Sequence, residues 1–160
     1  MNEIDYKNIQ LSQLEIMWAS QIGTIRHTEA IKKGLSDKHG FDGDGLMIHI
    51  NGACGEMAVA KALGIYWAGS INTFKKERDV GKWEVRTRSK DYYDLLIRPD
   101  DDENNIYILV TGEIPTFKVQ GFILGKSAKR QEWMKDYGGR PPAYFIPKEY
   151  LSDIKQLTEK

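Results

Sequence analysis

Asp79-Val80-Gly81-Lys82-Trp83-Glu84-Val85-Arg86-Thr87-Arg88 is the stretch on which the reading of this chain turns. An acid opens it, a Gly-Lys step follows, and Glu84, Arg86 and Arg88 then recur at every second residue. Side chains alternate across a strand, so these three share one face, and Trp83, Val85 and Thr87 share the other. The second face is apolar enough to meet a core. The first carries a carboxylate between cations, which a solvated strand tolerates and a metal-and-phosphate site requires.

Upstream the pattern is helical. Leu11, Leu14, Met17, Trp18, Ile22 and Ile25 recur mostly at three- and four-residue steps, which predicts a helix within Ile9 to Leu35. Ser12 with Glu15 three residues on reads as a capping box, Gly34 as the C-terminal stop, and Gly23 as a point for a break. Arg26 and His27 read as part of the solvated face. Asp37 to Gly45 is dense in turn formers. Its Asp42-Gly43-Asp44 is no EF-hand, because the fifth, sixth and twelfth positions hold Leu46, Met47 and Ala53. Leu46 to Leu63 reads as a second helix, its LMIHI start compatible with an extended entry. Small residues around Gly55 suit close packing on a sheet. Glu56 has Ala53, Val59, Ala60 and Leu63 as helical neighbours, so it sits on the apolar stripe. A carboxylate there demands a partner or a cation.

Downstream the pattern is strands. Tyr92 to Arg98, Ile106 to Thr111 and Thr116 to Leu124 read as three, separated by the acidic loop Asp100 to Asn105 and the turn Gly112 to Pro115. Gly125-Lys126-Ser127 lacks the strand-loop-helix setting of a P-loop. Ala128 to Tyr137 and Lys148 to Leu157 read as short helices, with Tyr144 to Ile146 extended between them. The expected fold is α+β: a central mixed sheet of about four strands flanked by helices. One domain over residues 1–160 is expected, with a helical N-terminal region at 1–45, a core at 46–130 and a helical or loop cap at 131–160.

Composition narrows the function classes. Lys and Arg total 23, as do Asp and Glu, so bulk charge points to no polyanion and any nucleic-acid contact must be local. The single Cys54 excludes an internal disulfide framework. No apolar run is long enough for a membrane span and MNEIDYKN lacks a signal h-region, so a cytoplasmic protein is expected. By ligand type alone, His49, Cys54 and Glu56 offer a zinc-type set.

Glu56, Asp79 and Glu84 are hard oxygen donors suited to Mg²⁺ or Mn²⁺. Asp79 followed by Glu84-Val85-Arg86, with Glu56 on the helix GEMAVAK before it, resembles the PD-(D/E)XK nuclease superfamily in its uncharacterised bacterial and phage members. The resemblance covers about the middle half of the chain. It implies a restriction-endonuclease-like fold and Mg²⁺- or Mn²⁺-dependent hydrolysis of phosphodiester bonds, in DNA before RNA. It also implies metal ligands Glu56, Asp79 and Glu84, with Arg86 where the family usually has Lys. Arg stays protonated, so Arg86 would bind or orient and not act as a base. Lys75, Lys76, Arg88, Lys126, Lys129 and Arg130 are the candidate phosphate contacts. The alternative is a relative of the same fold that binds nucleic acid or a protein, a second copy included, without cutting.

Overall fold

The structure is a computed structural model describing residues 4–34, 45–69 and 79–158. The turn-rich segment at 37–44 and the charge run at 75–78, with Lys75 and Lys76, lie outside the described residues.

Strand β1, Ile9–Gln10, precedes helix α1, Gln13–Lys32. The helix thus starts later than the periodicity predicts. The Ser12 hydroxyl accepts from the Glu15 N–H, and the Glu15 carboxylate accepts from the Ser12 N–H. Gly34 follows the last turn with φ +64°, as a C-terminal stop requires. Helix α2 covers Gly45–Leu63, so LMIHI is helical, not extended. Short apolar runs suit a buried helix and a strand equally, and here the later residues of the helix are buried between α1 and the sheet.

One side of α2 meets α1 and the other meets the sheet. Gly23 does not break α1. A Cβ there would stand 2.5 Å from the Ile50 Cα, so its absence lets the two helices approach. The buried face of α1 is Ala19, Ile22 and Gly23, whereas Leu14, Met17, Trp18 and Ile25 of the expected stripe are exposed.

Strands β2, Glu84–Arg88; β3, Leu95–Ile97; β4, Ile106–Glu113; and β5, Thr116–Leu124, follow. The main sheet is mixed, in order β1-β5-β4-β2, with β2 parallel to β4 and the other neighbours antiparallel. Val85, Ile108, Val110, Phe117 and Val119 face the helices. Tyr107, Leu109 and Ile123 face the other way. A bulge at Gln120, where Leu109 and Val110 pair with Gly121 and Val119, moves the inward side of β5 from one face to the other.

The second face is covered by a small sheet, in which the expected extended segments within Tyr92 to Arg98 and Tyr144 to Ile146 pair with each other. Its order is β3-β7-β6, with β6 at Met134–Lys135 and β7 at Ala143–Ile146. The expected helices at the C-terminal end are therefore corrected. Helix α3 is only Gly125–Ala128, and Gln131–Trp133, Lys148–Tyr150 and Ile154–Leu157 are 3₁₀ turns. The expected strand Tyr92 to Arg98 shrinks to three residues; Tyr92 is exposed, and its ring meets the half-buried Tyr93 edge to face. No helix among the described residues is long and apolar enough to cross a membrane.

Candidate functional site

Glu56 lies in the middle of α2 on the side shared with α1, and it is one of two buried polar side chains among the described residues. Arg26 of α1 meets it with both terminal nitrogens, Nη1 to Oε2 at 2.7 Å and Nη2 to Oε1 at 3.0 Å. The Trp67 indole N–H donates to Oε1 at 3.3 Å. Two parallel charge-assisted bonds are the strongest arrangement an Arg and a carboxylate can make. Arg26 is therefore corrected from a solvated residue to the partner of Glu56. It follows Ile22 by four residues and Ala19 by seven, on the buried side of α1, and that spacing was the available signal.

Asp79 joins the group from the chain entering the sheet. Val80 and Trp83 form a tight turn by exchanging backbone hydrogen bonds. That turn brings the Asp79 Oδ2 to the Val85 N–H at 2.8 Å. β2 ends the main sheet among the described residues, and this N–H is directed away from β4 at its open edge. Asp79 is also close enough to act on the buried pair. Burial pushes the Glu56 carboxyl up to about 7, and the Asp79 charge adds to that against the pull of Arg26 and Trp67. Burial works against the Arg26 charge, but Glu56 and then Asp79 outweigh it and raise the guanidinium above its ordinary value.

Glu84 and Arg86 point to the opposite face. In the parallel register Glu84 stands beside Tyr107, and Arg86 beside Leu109. The Arg86 guanidinium lies 5.1 Å from the Tyr107 ring centre and pairs with Asp101 at 3.0 Å. Its Nε is buried and makes no hydrogen bond among the described residues. Asp101, in the acidic loop, also accepts from the Arg98 N–H. The structure thus brings Glu56 and Asp79 together and gathers Glu84, Arg86, Asp101 and Tyr107 across the strand. Among the described residues no three His, Cys, Asp or Glu side chains converge as a ready ligand set.

The zinc-type set of His49, Cys54 and Glu56 does not assemble. Both Glu56 oxygens are on Arg26, and burial pushes the Cys54 thiol up to about 11, where it stays protonated at neutral pH.

Several candidate phosphate contacts serve the fold. Arg88 donates to the Asp94 carbonyl at 2.9 Å and lies over the Tyr93 ring. Lys129 donates to the carbonyls of Pro99 and Asp101, holding the acidic loop. Arg130 is exposed, over the Trp133 ring and 3.6 Å from Glu132, and Lys126 is exposed in α3. Comparison with protein-family models, curated proteins and solved structures finds no match.

Proposed function

We propose that this chain is a metal-dependent nuclease of restriction-endonuclease-like type, acting on DNA, with Mg²⁺ or Mn²⁺ held at the open edge of β2. The observation that carries this reading is Asp79. Its carboxylate rests on the Val85 N–H, one residue from Glu84, while its charge is felt by Glu56 behind it. Carboxylates from a loop end and a strand start are the donors a hard divalent ion takes.

The residues fit such an ion in part. Asp79 has one oxygen on a backbone N–H and a second to offer. Glu84 carries its carboxylate on the other face of β2, and would join the ion round the strand edge. Glu56 has both oxygens on Arg26, so it acts as a positioning residue that keeps Arg26 in place behind Asp79. When bound, the ion would polarise a phosphodiester and lower the pKa of a water. Arg86 would supply fixed positive charge beside the scissile phosphate.

A second reading is supported by the cations already spent inside the site. Arg26 neutralises Glu56 and Asp101 holds Arg86, as expected of a relative that binds nucleic acid without cutting it. The two are separated by incubating the purified chain with short DNA and RNA duplexes and single strands in Mg²⁺ and Mn²⁺. Metal-dependent cleavage that disappears in Asp79→Ala and in Glu84→Ala supports the first reading. Salt-sensitive binding without turnover supports the second. A chain that neither binds nor cuts across these conditions rejects both.

A further inference from the structure

His27 of α1 and His49 of α2 face each other across the helix pair. Their Nδ1 atoms are 3.1 Å apart, with ring centres 5.2 Å apart and ring planes tilted by 53°. Both residues are half-buried. Gly45, in the first turn of α2, adjoins the His27 ring; a Cβ there would come to 3.1 Å from Cε1, so glycine gives the ring room. The metal-free arrangement is a hydrogen bond in which one ring donates its Nδ1–H to the other.

We infer that this pair is a binding site for a first-row transition cation of the Zn²⁺, Ni²⁺ or Cu²⁺ class, clamping α1 to α2. Nitrogen ligands lie about 2.0–2.1 Å from Zn²⁺, and two such ligands 3.1 Å apart subtend about 100° at the ion. That angle falls between the right angle of tetragonal sites and the tetrahedral value. Imidazole selects this class of metal, whereas the carboxylates at the β2 edge select hard ions. The two sites are therefore chemically separate, and the fate of one does not decide the other.

Loading needs no net proton release from a neutral pair. The ring that donated its Nδ1–H carries the proton on Nε2 instead, and both Nδ1 lone pairs turn to the metal. Both rings are half-buried, so water reaches the ion.

The test is calorimetric titration of the chelator-stripped chain with ZnCl₂, paired with an electron paramagnetic resonance spectrum of the unaltered chain loaded with Cu²⁺. The expected result is one Zn²⁺ per chain, bound about tenfold or more weakly by His27→Asn and by His49→Asn. Cys54→Ala should bind as the unaltered chain does. The copper spectrum should show coupling to two imidazole nitrogens. Absence of binding at millimolar Zn²⁺, affinity unmoved by either His27→Asn or His49→Asn, or a copper spectrum without two nitrogens would each overturn the site. The spectrum is taken on the unaltered chain, so a variant that fails to fold does not decide the matter.

Discussion

Replacing Glu56 by Gln isolates the titration that this fold should feel most. Burial, with Asp79 behind it, lifts the Glu56 carboxyl from 4.5 to about 7. A group whose folded pKa lies above its unfolded value contributes stability that is complete below the unfolded pKa. That contribution is lost as pH rises through the folded one. The window here runs from about 4.5 to about 7, and at ~1.4 kcal/mol per pH unit the loss is on the order of 3 kcal/mol. Glu56→Gln removes this titration while leaving an oxygen for the Trp67 indole N–H. The measurement is urea unfolding of both proteins at steps from about pH 4 to about pH 8, taking the difference in stability at each step. Other acids titrate in both proteins and largely cancel. The unaltered chain should lose about 3 kcal/mol relative to the Gln variant across the window. A flat difference would refute the reasoning. A difference that rises with pH would refute it more sharply, because it would mean Arg26 holds Glu56 below the ordinary carboxylate range and pairing outweighs burial.

The contact between α2 and β2 gives a second prediction. A Cβ at Gly55 would stand 2.1 Å from the Thr87 Oγ1, so Gly55→Ala should lift the helix and cost about 1–3 kcal/mol, seen as a lower urea midpoint. Ser12→Ala removes the capping-box oxygen from the Glu15 N–H and should cost about 1 kcal/mol in the same assay. Arg86→Lys replaces a permanently charged group with one able to release a proton. If the nuclease reading holds, metal-dependent cleavage should rise by about 10²-fold or more, and an unchanged or lower rate would count against a base at that position.

The elements that depend on local pattern were legible in the chain. β5 spans the residues expected of it, Thr116–Leu124, because its period-two alternation runs unbroken. What alternation conceals is the bulge at Gln120, which leaves the pattern intact in sequence while exchanging the faces in space. Two strands of the second sheet fall on segments expected to be extended, but their pairing and β6 were illegible for a different reason. β6 has two residues and β7 four, too few to show a period; β7 pairs with Leu95–Ile97 some fifty residues earlier, and β6 then pairs with β7. The exposed apolar side of α1 misled in the opposite direction. Leu14, Met17, Trp18 and Ile25 have helical spacing, yet close packing on α2 is made by Ala19 and Gly23, whose small size makes a weak hydrophobic signal.

The site divides along the same line between local and distant information. That Glu84, Arg86 and Arg88 share a face follows from strand geometry, and that Glu56 lies on a buried stripe follows from helix geometry. Both statements use neighbours within a few residues. A buried carboxylate announces that it needs positive charge or hydrogen-bond donors, but its own surroundings in sequence do not say which. A metal ion and an arginine satisfy that need equally well on paper. The arginine that does so comes from thirty residues upstream on another helix, and the donor that meets Asp79 is a backbone N–H on β2, the last strand of the main sheet among the described residues. Three acids read as one ligand set are thus split by the fold: Glu56 is neutralised from within, Asp79 is anchored at the strand edge, and Glu84 shares its face with Arg86. Metal affinity of the β2 edge should therefore depend on Asp79 and Glu84 more than on Glu56. A Glu56→Gln variant that keeps Mn²⁺ affinity while losing its pH-dependent stability would tell the two roles apart.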